Sequence, residues 1–175
     1  MFRLLLILSL GLFASANSLM VQNGEIKAHT EVFADGQINP TTKNVKADLT
    51  IENGIESIKG KIYFETLSLI SEKKDRDTNM YKLLNVEKFK TISFDIKSIT
   101  KNETDYEIKG ALTLNGVTKN IKAKIIINQQ NNEILLNGGF SFNLTDFNLE
   151  PPKMVFLTDR TQIHITYNIS LNEVK

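Results

Sequence analysis

Tyr106-Glu-Ile-Lys-Gly-Ala-Leu-Thr-Leu-Asn-Gly-Val-Thr-Lys-Asn-Ile-Lys-Ala-Lys-Ile-Ile-Ile127 holds two runs of period two around one turn signal. Before the turn, Tyr106, Ile108, Leu112 and Leu114 share one parity, with Gly110 in the same register. After it, Ile121, Ala123, Ile125 and Ile127 alternate with Lys122, Lys124 and Ile126. Such alternation marks a strand with one face in a core and the other in water. Asn115-Gly116 supplies the positive φ angles that a two-residue hairpin needs. The stretch therefore predicts an antiparallel hairpin.

The same pattern extends outward in both directions. Val45, Ala47, Leu49 and Ile51 share a parity, as do Ile62 and Phe64, and Ile92, Phe94 and Ile96. Toward the C-terminus, Phe140, Phe142 and Leu144 form one set, and Ile163, Ile165, Tyr167, Ile169 and Leu171 another. Asn-Gly recurs at 23–24, 53–54 and 137–138, and Asp-Gly stands at 35–36. Asn137-Gly138-Gly139 predicts a bulge or bend inside a strand, a device of curved sheets. One stretch breaks the pattern: Asp75 to Leu84 carries Met80, Leu83 and Leu84 at helical spacing. Asp75 and Asp77 suit the start of a helix, and Asn85 its stop. Glu150 to Arg160, with two of the three prolines, reads as a long loop. About eight strands with hairpin spacing and one short helix leave a sandwich or a closed barrel.

The chain of 175 residues carries 21 Lys+Arg, 20 Asp+Glu and no cysteine. That excludes a disulfide framework, a cysteine-ligated metal and a thiol nucleophile. Near-zero net charge argues against nucleic acid as a partner, which would call for a basic footprint. An apolar content of 41% suits a packed domain rather than disorder. At the start, Arg3 precedes the apolar run Leu4 to Phe13, and Ala14-Ser15-Ala16 follows. These are the three parts of a secretory signal peptide. Cleavage after Ala16 divides the chain into a leader, 1–16, and one domain, 17–175, which is formally neutral once Arg3 is removed (21 − 1 = 20 against 20). Export to the periplasm is the expectation.

Catalytic chemistry finds little footing. His29 and His164 are the only imidazoles, and neither has a second ligand at i+2 or i+4 in the manner of known zinc motifs. No Gly-x-Ser-x-Gly elbow and no glycine-rich phosphate loop occurs. Arg76 between Asp75 and Asp77 reads as helix capping and ion pairing at a rim, or as a contact for a ligand head group. No metal, no cofactor and no enzymatic activity are expected.

Two segments then resemble a known family. Leu67 to Phe94 contains Arg76-Asp77 opening a short helix, followed by Val86-Glu-Lys-Phe-Lys-Thr-Ile-Ser-Phe94. Ile108-Lys-Gly-Ala-Leu-Thr-Leu-Asn-Gly-Val-Thr-Lys119 follows at the right distance. Their order and spacing resemble the YceI-like family over roughly residues 45–171. Lys90 stands where that family usually has Pro, and His29 is the one remnant of its histidine-bearing first strand. The resemblance implies an all-β fold: an eight-stranded antiparallel lipocalin-like barrel with one short helix and an elongated apolar tunnel. It implies binding, sequestration or transport of a polyisoprenoid, quinone-like or fatty chain. Transient contact with a membrane and a dimeric state are compatible with it.

The expected lining follows the inward parity: Phe64, Phe94, Leu112, Leu114, Phe140, Phe142, Ile165 and Tyr167, with Ile96 and Ile125. Met80 and Tyr81, and Met154 and Phe156, sit in the two non-strand segments and would form a mouth or lid, or plug the barrel end. Alternation alone fits a filled barrel with an interaction or stress-related role equally well. An enzyme on an amphiphilic substrate, using Arg76, Tyr81 or an acid near the mouth, is the other alternative.

Overall fold

A computed structural model of the chain describes residues 16–32, 36–150 and 161–174. The leader and the proline-rich loop, with Met154 and Phe156, lie outside the described residues. The strands are β1 (Asn17–Val32), β2 (Gly36–Ile38), β3 (Thr41–Thr42), β4 (Lys46–Ile51) and β5 (Lys59–Glu65). After the helix α1 (Lys74–Leu83) come β6 (Thr91–Lys101), β7 (Tyr106–Leu114), β8 (Val117–Gln130), β9 (Glu133–Asn143) and β10 (Gln162–Val174).

From β4 to β10 each strand pairs antiparallel with the next, and β1 joins β10 on one side and β4 on the other. Eight strands thereby close into a barrel, which removes the open edges of a flat sheet. The closing seam is long: β1 and β10 run in register from Ser18 opposite Val174 to His29 opposite His164. The β1–β4 contact is short, Asn17–Leu19 against Ile51–Leu49, with β3 pairing farther along β1.

Two bulges keep apolar side chains inside. In β1 the register shifts between Val21 and Asn23, so Leu19 and Val21 share the inner face with Ile26 and Ala28. In β6 it shifts between Ile96 and Ser98, which carries Ile99 to the inner face opposite Ile108. An inserted residue reverses the parity beyond it.

The predicted hairpin is present, with Asn115 at φ 51° and Gly116 at φ 71°. The helix spans one residue more at its start than Asp75, and Asn85, at φ 50°, turns the chain just beyond it. Asn23-Gly24 is a correction: it lies within β1, with Gly24 packed under Val45, and makes no turn. Asn137-Gly138-Gly139 forms no bulge against β10, since β9 runs through it without a register shift.

A chain of amides ties the barrel end together. Asn85 Nδ2 donates to Asn115 Oδ1 at 2.9 Å, and Asn115 Nδ2 donates to the Phe147 carbonyl at 3.0 Å. Helix end, hairpin and the 3-10 turn Leu144–Phe147 are thus joined. Gly116 lies against the Phe89 ring, where an added Cβ would stand 2.4 Å from a ring carbon. Gly116→Ala should therefore destabilise the fold by about 1–2 kcal/mol through strained backbone and overlap. Urea unfolding with an unchanged slope would check it.

Candidate functional site

The interior divides into two halves. One is the more densely packed: Leu49, Ile58, Ile125, Ile134, Leu136 and Ile169 belong to a cluster of fifteen buried residues. The other lies toward α1 and centres on Leu84, Leu112, Leu114, Leu144, Phe147 and Ile163. Here the packing differs. Ala28, Ile92, Phe94, Ile121, Phe140, Phe142 and Ile165 pack against this second cluster yet are only half-buried. They sit at inward register, so the surface they keep faces the barrel interior or its rim. The difference is one of degree: eight partly buried hydrophobics, Ala47, Tyr106 and Tyr167 among them, flank the fifteen buried residues of the first cluster, whereas eleven flank the eight of the second.

Aromatic rings line this half. Phe94 and Phe140 stack with centroids 6.0 Å apart, Phe140 lies 6.3 Å from Phe142, and Phe142 meets Phe147 edge-on at 5.0 Å. Strands β6 and β9 are separated by β7 and β8, so the Phe94–Phe140 contact spans the interior. Phe94 touches both clusters and marks the floor between the filled half and the partly open one.

Two glycines make room for rings. A Cβ on Gly110 would fall 2.3 Å from Phe94 Cζ, and one on Gly138 would fall 2.5 Å from the Tyr167 hydroxyl oxygen. Tyr167 packs with the filled half, and burial pushes its hydroxyl far above the ordinary phenol range. It is a neutral wall group at any physiological pH.

The wall parts between β8 and β9. Their ladder runs from Gln130–Glu133 to Ile125–Gly138 and goes no farther among the described residues. Beyond it, β8 pairs with β7 and β9 with β10. Gly138 and Gly139 mark this fork, and Gly139 lies tight against the Ile165 carbonyl of β10. Ile121 of β8 and Phe140 and Phe142 of β9 lie beyond the last paired residues of this ladder.

At the helix, Met80 and Tyr81 pack half-buried against the second cluster. The Tyr81 hydroxyl donates toward two carbonyls, Leu69 at 2.8 Å and Leu67 at 3.1 Å. Desolvation and the nearby Asp77 carboxylate raise its pKa. Tyr81 thus anchors α1 to the chain leaving β5 and stays protonated, a poor base. Asp77 is buried and accepts the Ser71 N–H at 2.8 Å, a structural use of the acid that opens the helix. The ion pairs of β7 and β8 stand on the outer face. Lys122, at 2.8 Å, and Lys109, at 3.3 Å, hold the Glu107 carboxyl below its usual range.

The sequence-derived lining is therefore mostly brought together. Met80, Tyr81, Phe94, Leu112, Leu114, Phe140, Phe142 and Ile165 meet in or around the second cluster. Leu112 and Leu114 are fully buried wall, Phe64 is buried on β5 opposite Ile92, and Tyr167 belongs with the filled half. Phe147 and Leu149, both buried, were not anticipated. Their signal is faint: Phe147, Leu149 and the left-handed Asn148 between them form a fragment too short to show a period.

A closed antiparallel barrel with an apolar interior places the chain in the lipocalin-like class of barrels. The model of the YceI-like domain matches residues 21–169, and the chain belongs to the YceI-like family. It is 31% identical over 123 residues to the UPF0312 protein of Yersinia pestis strain Pestoides F, an alignment over 66% of this chain and 59% of that one. The chain thus spans about three fifths of the length of the curated relatives it matches. Among solved structures, Burkholderia cenocepacia BcnA superposes with a TM-score of 0.73 at 12% identity, over 84% of this chain and 95% of its own. A polyisoprenoid binding domain from Saccharophagus degradans gives 0.71 at 8%, over 90% and 99%. The Campylobacter jejuni YceI protein gives 0.66 at 18%, over 77% and 84%.

Proposed function

We propose that the protein binds a long apolar chain, of polyisoprenoid, quinone-like or fatty type, in the helix-end half of the barrel, and sequesters or carries it in the periplasm. The observation that carries this reading is the incomplete burial of inward-facing Phe94, Phe140, Phe142 and Ile165, in the half of the barrel where partly buried hydrophobics outnumber buried ones. The solved polyisoprenoid binding domain of the same fold supports it. Binding needs no catalytic group, because burying a chain gains roughly 0.8 kcal/mol per CH2. The end of the β8–β9 ladder is the entry this reading proposes for the ligand.

Delipidated protein titrated with a fluorescent polyene fatty acid should show saturable binding, displaced by a long-chain prenol or quinone. A short-chain alcohol of the same head group should displace far less. Absence of saturable binding would favour a filled barrel and count against the proposal. Export is tested separately: the periplasmic product should have the intact mass of residues 17–175, and a membrane-retained product that keeps Met1 would refute the leader.

A further inference from the structure

The outer face of the closing seam carries a pair of imidazoles that the binding function does not use. His29 of β1 stands directly opposite His164 of β10, with ring centroids 6.1 Å apart and planes inclined by 34°. Their neighbours Ala28 and Ile165, also paired in register, pack against the interior cluster, which places both histidines on the opposite, outer face. Each ring is oriented by a side-chain oxygen. His29 Nδ1 lies 2.7 Å from Asn39 Oδ1, and His164 Nδ1 lies 2.7 Å from Ser141 Oγ. An amide oxygen can only accept, so the Nδ1–H tautomer that this contact favours leaves the lone pair of His29 on Nε2. The serine hydroxyl can accept from His164 in the same way. That is the arrangement of metal-binding histidines, whose second nitrogen is fixed by an outer hydrogen bond.

We propose that His29 and His164 form a two-imidazole site for a borderline divalent cation, Zn2+, Ni2+ or Cu2+, bridging β1 and β10. A metal stands about 2.0–2.1 Å from each ligating nitrogen, so rings that share one have centroids roughly 5–6 Å apart. The observed 6.1 Å lies just outside that range, and small rotamer adjustments on an outer face close the difference. Water completes the coordination, which makes the site open and exchangeable. Because the two ligands lie on the strands that close the barrel, the ion would clamp the seam.

The test is a calorimetric titration of the mature chain, without a histidine tag, with ZnCl2 and NiCl2 in a non-chelating buffer near pH 7.5. One ion per chain is expected. His29→Gln and His164→Gln should each weaken binding at least about tenfold, and Asn39→Ala by about the same factor as a positioning residue. Far-UV circular dichroism should be unchanged in all three, so a loss cannot be ascribed to unfolding. No saturable binding by the parent chain, or equal binding by the two histidine variants, would overturn the proposal.

Discussion

Phe142→Arg is expected to leave the protein folded and soluble while weakening ligand binding roughly ten- to hundredfold, the equivalent of a Phe-sized apolar contact. Phe142 lies mid-strand at inward register, half-buried, between Phe140 and the edge of Phe147. A charge placed in a dry core costs far more than a folded domain can bear unless it finds a partner or water. In a partly open half the guanidinium can reach solvent along its own stem. Thr166→Arg is the control: Thr166 is exposed on the outer face of β10, opposite Gly139 and Lys27, and should change neither stability nor binding appreciably. Thermal unfolding and probe titration on both variants decide the matter. If Phe142→Arg unfolds while Thr166→Arg is stable, this half is filled. If Phe142→Arg folds and binds as before, the ligand lies elsewhere.

The second large effect is on stability. Gly110→Ala would drive a methyl group to within 2.3 Å of Phe94 Cζ and 2.6 Å of the Asp95 carbonyl oxygen. The ring can move, but the backbone oxygen is held in the β6–β7 ladder. Overpacking of this kind costs about 1–3 kcal/mol, or on the order of 3–10 °C in Tm for a domain of this size. Displaced from its glycine, the Phe94 ring would swing into the open half, so binding should weaken as well. Phe94→Ala in the same chain should recover part of the loss, giving a non-additive double-mutant cycle. Strict additivity would mean that Phe94 does not rest on Gly110.

The barrel was legible where period two runs unbroken. β7, β8 and β10 announce themselves through Ile108 to Leu114, Ile121 to Ile127 and Ile163 to Leu171, and Asn115-Gly116 fixes one register outright. β1, the longest strand, was not, because its bulge reverses the parity between Val21 and Asn23. Leu19 and Ile26 therefore lie on one face at a spacing no alternation would produce. The glycines at 110 and 138 were visible, but not the rings they admit, since Phe94 and Tyr167 reach them from neighbouring strands. Asn137-Gly138-Gly139 looks like a bulge and is instead the fork at which β9 leaves β8. The histidine pair escaped for a related reason: sequence spacing reveals ligands within one element, whereas His29 and His164 meet through strand pairing. Nor could alternation separate a filled barrel from an open one, because both place the same residues inward. Only the proportion of buried to partly buried residues, higher around Ile125 than around Phe142, distinguishes the two halves.

That contrast is tested most directly by native mass spectrometry of the mature chain, purified without detergent, before and after extraction with organic solvent. Before extraction, the protein should carry an added mass corresponding to one long-chain apolar lipid. Extraction should remove that mass and release the lipid into the solvent phase. A single bare-polypeptide mass under both conditions, from protein that also fails to take up added prenol, quinone or fatty acid, would contradict the account.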